Sequence, residues 1–206
     1  MGQVLELPAG DGMHPGVVIL HEYWGVNEQI QGIAKRFAHA GMCARVVDLY
    51  DGKVTKDSAE AGALMKALDW GKAVEQIATA VAELKAHARC TGKVAVTGYC
   101  MGGALTFSAA VNIRGLACTV PFYGLPGALD WSKVDAPVQA HFARQDDWAT
   151  VAGAEWIRDS LKVPMELHVY EAKHAFCNES RPEVYDAEAA TLAWSRAIAF
   201  IRQHTA

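Results

Sequence analysis

Short, unbroken apolar runs alternate along the chain with longer stretches in which apolar residues recur every three or four positions. Gly16-Val17-Val18-Ile19-Leu20 is the first run, bounded by Pro15 and by polar residues, and it reads as a strand buried on both faces. Asn27 then predicts a helix cap, and Ile30, Ile33, Ala34, Phe37 and Ala38 follow at helical spacing until Gly41 stops them. Cys43 to Asp48 resumes as strand. Residues 51 to 70 carry only a weak pattern in Ala63, Leu64 and Ala67, which predicts a loop and a short helix. Val74, Ile77, Val81 and Leu84 mark a firmer helix, expected to end near Thr91-Gly92, before the apolar run Val94-Ala95-Val96. Further strands are expected at Leu116 to Val120, Val138 to Phe142 and Met165 to Tyr170, with a helix carrying Ala154, Ile157 and Leu161 before the last of them. A final helix is expected from near Pro182, with Ala190, Trp194, Ala197, Ile198 and Ile201 along one stripe. The repeated succession of strand, helix and strand predicts an α/β fold: one three-layer domain over residues 1–206, with a mostly parallel sheet and helices on both faces.

Composition narrows the partners rather than the fold. With 206 residues, 51% of them hydrophobic, the chain can bury one core and has little left for a second. A formal net charge of -4, a pI near 6.0 and no run of Lys and Arg argue against nucleic acid or an anionic membrane surface as partner. No apolar run approaches the roughly 18 residues that span a bilayer, and Met1-Gly2 lacks the Ser or Thr at position 6 of a myristoylation signal. A cytoplasmic protein is expected, a monomer or small homo-oligomer. Five cysteines without a C-x-x-C pair predict reduced thiols, with neither a disulfide framework nor a metal site. Cys43 and Cys118 lie in apolar runs and read as small core residues. Cys177, three residues after His174, has no second ligand pair to make it a metal ligand.

The chemistry gathers at strand ends, where open parallel sheets place their functional groups. Gly98-Tyr99-Cys100-Met101-Gly102-Gly103 lies between an apolar strand and the helical run Ala104 to Ala110. This is the G-x-nucleophile-x-G elbow of α/β-hydrolases with Cys at its centre, and the flanking residues must be small because strand and helix nearly touch. Glu22 follows the first strand, Arg144-Gln145-Asp146-Asp147 the strand at 138 to 142, and Lys173-His174-Ala175-Phe176 the strand at 165 to 170. Cys100, Asp146 and His174 thus stand in the chain order nucleophile, acid, base. Each has an ordinary reading alone: a core thiol, a turn carboxylate, a loop imidazole. Their joint occurrence at three strand ends favours catalysis.

These segments, Leu20-His21-Glu22-Tyr23-Trp24-Gly25-Val26-Asn27, the cysteine elbow, Gln145-Asp146-Asp147 and His174-Ala175-Phe176, resemble the dienelactone hydrolase family over nearly the whole chain. The resemblance implies an α/β-hydrolase fold and opening of an enol-lactone, of the type that turns dienelactone into maleylacetate, or cleavage of a related small ester, without metal or cofactor. It implies Cys100 as nucleophile, His174 as base, Asp146 (with Asp147 as rival) as the residue orienting His174, and Glu22 as a carboxylate beside the thiol, accepting its proton in a hydrogen bond. The backbone N–H groups of Met101 and Tyr23 would hold the oxyanion. Trp24, Tyr99, Trp148 and Phe176 are candidates to wall an apolar pocket. The family carries Arg four residues after the catalytic His and another in the region of 51 to 70; here Asn178 stands at the first place and no Arg at the second. Arg181, Arg144, Lys53, Lys56 and Lys66 are the candidate substitutes. The competing reading is a non-catalytic or thiol-redox protein with Cys100 as sensor and Cys177 as its resolving partner.

Overall fold

The computed structural model describes residues 4–206, so the Met1-Gly2 start weighed above lies outside the described residues. Seven strands, β1 (Leu5–Glu6), β2 (His14–Leu20), β3 (Cys43–Val47), β4 (Cys90–Tyr99), β5 (Thr119–Phe122), β6 (Val138–Gln145) and β7 (Met165–Lys173), form one sheet in the order β1-β3-β2-β4-β5-β6-β7. β1 runs antiparallel to β3, and every other pairing is parallel. Side chains alternate across the sheet, and both faces are covered, which is why residues 16–20 of β2 include no polar side chain. Val17 and Ile19 pack with Ile33 and Phe37 of α1 (Glu28–His39) and Ala197 and Ile201 of α6 (Ala187–Thr205). Val18 and Leu20 pack on the other face with Ile77 and Leu84 of α3 (Trp70–Ala86) and Leu105 of α4 (Met101–Asn112). There α2 (Ser58–Ala67) leans Leu64 and Met65 on the same cluster, and α5 (Val151–Ser160) adds Ala154 and Ile157 beside β6. No helix among the described residues is long and apolar enough to cross a membrane.

Most helix starts follow the local chemistry of the sequence. Asn27 Oδ1 accepts the Ile30 N–H at 3.1 Å, and Asp57, Asp69, Thr150 and Asp186 cap α2, α3, α5 and α6 in the same way. β4, β6 and β7 run longer than expected, from Cys90, to Gln145 and to Lys173, and three other boundaries move. α3 ends at Ala86 rather than near Thr91, because Cys90 already pairs with His14 in the sheet. β5 covers Thr119–Phe122 rather than Leu116 to Val120, since its register is set by β4, with Thr97 beside Val120 and Tyr99 beside Phe122. α6 starts at Ala187, not at Pro182: the turn at Arg181, whose carbonyl accepts from Val184 and Tyr185, is not continued, and Asp186 caps the helix instead.

α4 is the exception among the helix starts. Its cap position is Cys100, which makes no side-chain cap bond and holds φ 56 and ψ -115, a strained conformation for a residue with a Cβ. The strain persists because strand and helix are pressed together around it. A Cβ on Gly98 would strike the Gly102 carbonyl, and one on Gly102 the Leu20 carbonyl. Those neighbours are backbone of α4 and β2 and have no rotamer to yield. We expect Gly98→Ala and Gly102→Ala each to cost about 3 kcal/mol or more, beyond an ordinary overpacking change. Urea unfolding of the purified variants checks this, and wild-type midpoints would show that the backbone gives way.

Candidate active site

Three loops at the C-terminal edge of the sheet meet at the elbow. Cys100 follows β4, Asp146 follows β6, and His174 follows β7. His174 Nε2 lies 3.1 Å from Cys100 Sγ, and its Nδ1 lies 2.6 Å from Asp146 Oδ2. The other Asp146 oxygen accepts the N–H groups of Trp148 and Ala149, both at 2.9 Å. The carboxylate is thereby fixed on both sides. With Asp146 accepting at Nδ1, that nitrogen carries hydrogen and Nε2 faces the sulfur. Asp147 faces the cavity instead and leaves the acid position to Asp146.

Charge follows this geometry. Burial alone would push the His174 imidazole down, but its hydrogen bonds and charge contacts with Asp146 and Cys100 outweigh that and raise its pKa to about 10. For Asp146, burial would raise the carboxyl, and the bond to His174 with the two N–H donors brings it below its usual value.

Glu22 departs from expectation. Its carboxylate, 3% exposed, does not hydrogen-bond the Cys100 thiol. It accepts from Asn178 Nδ2 at 2.5 Å and from the Tyr123 hydroxyl at 3.3 Å. Loss of water raises the Glu22 carboxyl, opposed chiefly by the Asn178 bond and then by the charge of His174. Tyr123, just after β5, had no signal in the sequence; Asn178 stood out only as the residue in place of the family's Arg, and its contact with Glu22, 156 residues away, had none. His21 went unremarked as well. It is fully buried, accepts the Leu49 N–H on Nε2 at 3.1 Å and lies with Nδ1 2.6 Å from the Glu22 carbonyl. Burial lowers its pKa, so a neutral ring pins the loop that carries Tyr23.

A cavity of about 420 Å³ opens over the sulfur, lined by Glu22, Tyr23, Trp24, Cys100, Asp146, Trp148, His174 and Arg181 among others. Met101 opens α4, so its N–H is one that a helix leaves without an intrahelical acceptor. Two expected wall residues do not reach the cavity. Tyr99 precedes Cys100 but is buried in the core, where it stacks on Phe122 with centroids 4.7 Å apart. Phe176 is fully buried against Tyr123 and Tyr170. Among the candidate cations, Arg181 lines the cavity, its guanidinium 5.6 Å from the Trp24 ring centroid and its Nε 2.8 Å from Glu183 Oε1. Arg144 pairs with Glu171 at the surface, and Lys53, Lys56 and Lys66 are absent from the lining, which gains the unforeseen Lys173. Among the described residues no group of three or more His, Cys, Asp or Glu side chains could hold a metal ion.

The model of a family described as "Dienelactone hydrolase family" matches residues 1–205. "Protein usf" of Aquifex pyrophilus is 33% identical, over 92% of this chain and 88% of that protein. "Carboxymethylenebutenolidase 1" of Cupriavidus pinatubonensis is 30% identical, over 96% and 89%. Among solved structures, a dienelactone hydrolase-like promiscuous phosphotriesterase from metagenomic libraries superposes with a TM-score of 0.85 at 23% identity, over 96% of this chain and 89% of the other. That last likeness speaks for the fold.

The paired charges set a pH dependence. An unfolded imidazole loses its proton near 6.5, whereas folded His174 keeps it to about 10, so the stabilisation is full below about pH 6.5 and is lost as the pH rises through about 10. Asp146, lowered on folding, contributes above about pH 3.9 and loses its part as the pH falls through its folded value. The Tm gap between wild type and Asp146→Asn should therefore be widest between about pH 5 and 7 and narrow towards 10. A gap that stays constant from pH 6 to 10 would sink this assignment.

Proposed function

The chain belongs to the dienelactone hydrolase family, a family of hydrolases, and from that premise we propose that it opens enol-lactones or cleaves related small esters through Cys100, His174 and Asp146, using no cofactor. The observation that carries the reading is the unbroken contact from Asp146 to His174 at 2.6 Å and from His174 to Cys100 at 3.1 Å, at a strained strand-to-helix elbow.

In the proposed cycle the proton shared by Cys100 and His174 rests on His174 Nε2 as an imidazolium, and the Cys100 thiolate beside it attacks the ester or lactone carbonyl. A C–S bond forms while the carbonyl electrons move to oxygen, where the N–H groups of Met101 and Tyr23 receive them. Each such donor is worth about 10²–10³ in rate. Collapse breaks the C–O bond, and His174 returns the proton to the leaving oxygen. Water then attacks the thioester with His174 as base, the C–S bond breaks, and the acid leaves. Asp146 steadies the imidazolium throughout. An enol or phenol leaves easily, so a thiolate suffices as nucleophile.

Trp24 and Trp148 are proposed to flank a flat acyl or enol group. Arg181 is proposed to meet a carboxylate on substrates that have one, since it is the one candidate arginine or lysine from the sequence that lines the cavity. The redox reading is disfavoured because Cys177, its proposed partner, lines a separate cavity of about 150 Å³ with Tyr99 and Trp194, away from the opening over Cys100.

Hydrolysis of cis- and trans-dienelactone, followed by loss of ultraviolet absorbance beside a panel of short aryl esters, tests the function. Turnover should fall by about 10⁴ or more in Cys100→Ala, and a 4-nitrophenyl acetate burst should leave one acetyl group on Cys100 in the mass spectrum. Absence of turnover on every member of the panel, or turnover surviving in Cys100→Ala, overturns the proposal. Arg181→Ala should cost mono-4-nitrophenyl succinate about tenfold more in kcat/KM than its uncharged counterpart 4-nitrophenyl butyrate. Equal losses would remove Arg181 from substrate recognition.

A further inference from the structure

Of the carboxylates lining the cavity over the sulfur, Glu22 and Asp146 are buried, and only Asp146 is tied to the imidazole. The group that keeps the other occupied is Asn178. Its Nδ2 donates to Glu22 Oε2 at 2.5 Å, and the residue is fully buried. The orientation of its amide is fixed by a donor on the other side: Oδ1 accepts the Ser180 N–H at 3.0 Å, so the NH₂ group must face Glu22. The Asn178 backbone N–H donates to the Ala175 carbonyl at 2.9 Å, which ties the amide to the turn carrying His174. The second Glu22 oxygen is taken by the Tyr123 hydroxyl at 3.3 Å.

We propose that Asn178 is a positioning residue whose amide holds the Glu22 carboxylate off the Cys100 sulfur, so that thiol and imidazole are paired before any substrate enters. Without the amide, Glu22 Oε2 loses its short hydrogen bond while the residue is 3% exposed, a costly state for a carboxylate. The thiol is then a donor that the same cavity offers. A carboxylate drawn onto the sulfur takes the thiol hydrogen bond from His174 and repels a thiolate, and either effect slows the nucleophile. The inference rests on Cys100 being the reactive thiol and would hold for any electrophile that reaches it.

The test is the rate of Cys100 alkylation by iodoacetamide, an uncharged reagent, read by mass spectrometry at fixed neutral pH on the full chain, with thermal melts to establish folding. Asn178→Ala should slow alkylation about tenfold, the size expected for one unit of charge perturbation. Asn178→Asp, which sets two carboxylates face to face and drives Glu22 away, should slow it in the same sense. Adding Glu22→Gln to either variant should restore the rate to within about threefold of wild type, because the side chain released is then uncharged. That rescue is what a purely structural role would not give. Wild-type alkylation rates in both single variants, or slowing that persists in the double variants, overturns the proposal. The outcome is separable from the hydrolase reading: rapid, Asn178-dependent alkylation beside no ester turnover would remove the hydrolase and leave the positioning role.

Discussion

The close approach of β2, β4 and α4 at the elbow is the constraint on which the site depends. Gly98 and Gly102 let three backbones meet where any Cβ would intrude, and that contact holds Cys100 at φ 56. The strain has a chemical use. It sets Cys100 in the lining of the cavity, next in the chain to the first N–H of α4. Tyr123 at φ 34 and Ala175 at φ 65 repeat the device after β5 and β7, so the ends of β4, β5 and β7 each carry a conformation that side chains resist. Such conformations survive only where the surroundings over-determine them, and here the parallel ladder from β4 to β7 does so.

Around the sulfur the organising problem is one of like charges. Two buried carboxylates beside one cavity would compete for one imidazole and one thiol. The fold gives each its own donors. Asp146 receives His174 and two backbone N–H groups, which lowers it, while Glu22 is buried, raised and satisfied by Asn178 and Tyr123. Environment separates two chemically similar groups into an anion that serves the imidazole and a wall residue that is kept from the thiol.

The strands and helices were legible in the sequence because burial on both faces of a parallel sheet writes continuous apolar runs, and helices write a three-four spacing between them. β1 was not, since Leu5 and Glu6 are too few to show a period and owe their pairing to β3. Pro182 suggested a helix start, yet only a single turn forms there before Asp186 caps α6. Cys100, Asp146 and His174 could be picked out by chain order at strand ends, and the structure brings them together. Tyr99 and Phe176 misled because adjacency in sequence to a site residue does not keep a side chain out of the core. The partners of Glu22 could not be read at all: a contact between residues 22 and 178 depends on where two distant loops land.

That division bears on how such a site changes its substrates. The triad hangs from strand ends, and altering its spacing means altering the sheet. Arg181 and Asn178 belong instead to the segment between β7 and α6, a succession of turns held by Asn178, Arg181 and Phe176 carbonyls rather than by regular structure. Substitutions there reach the cavity without touching a strand. The proposed recognition of substrate charge and placing of Glu22 thus rest on the part of the fold that tolerates change most readily, while Cys100 and His174 stand in the part that tolerates it least.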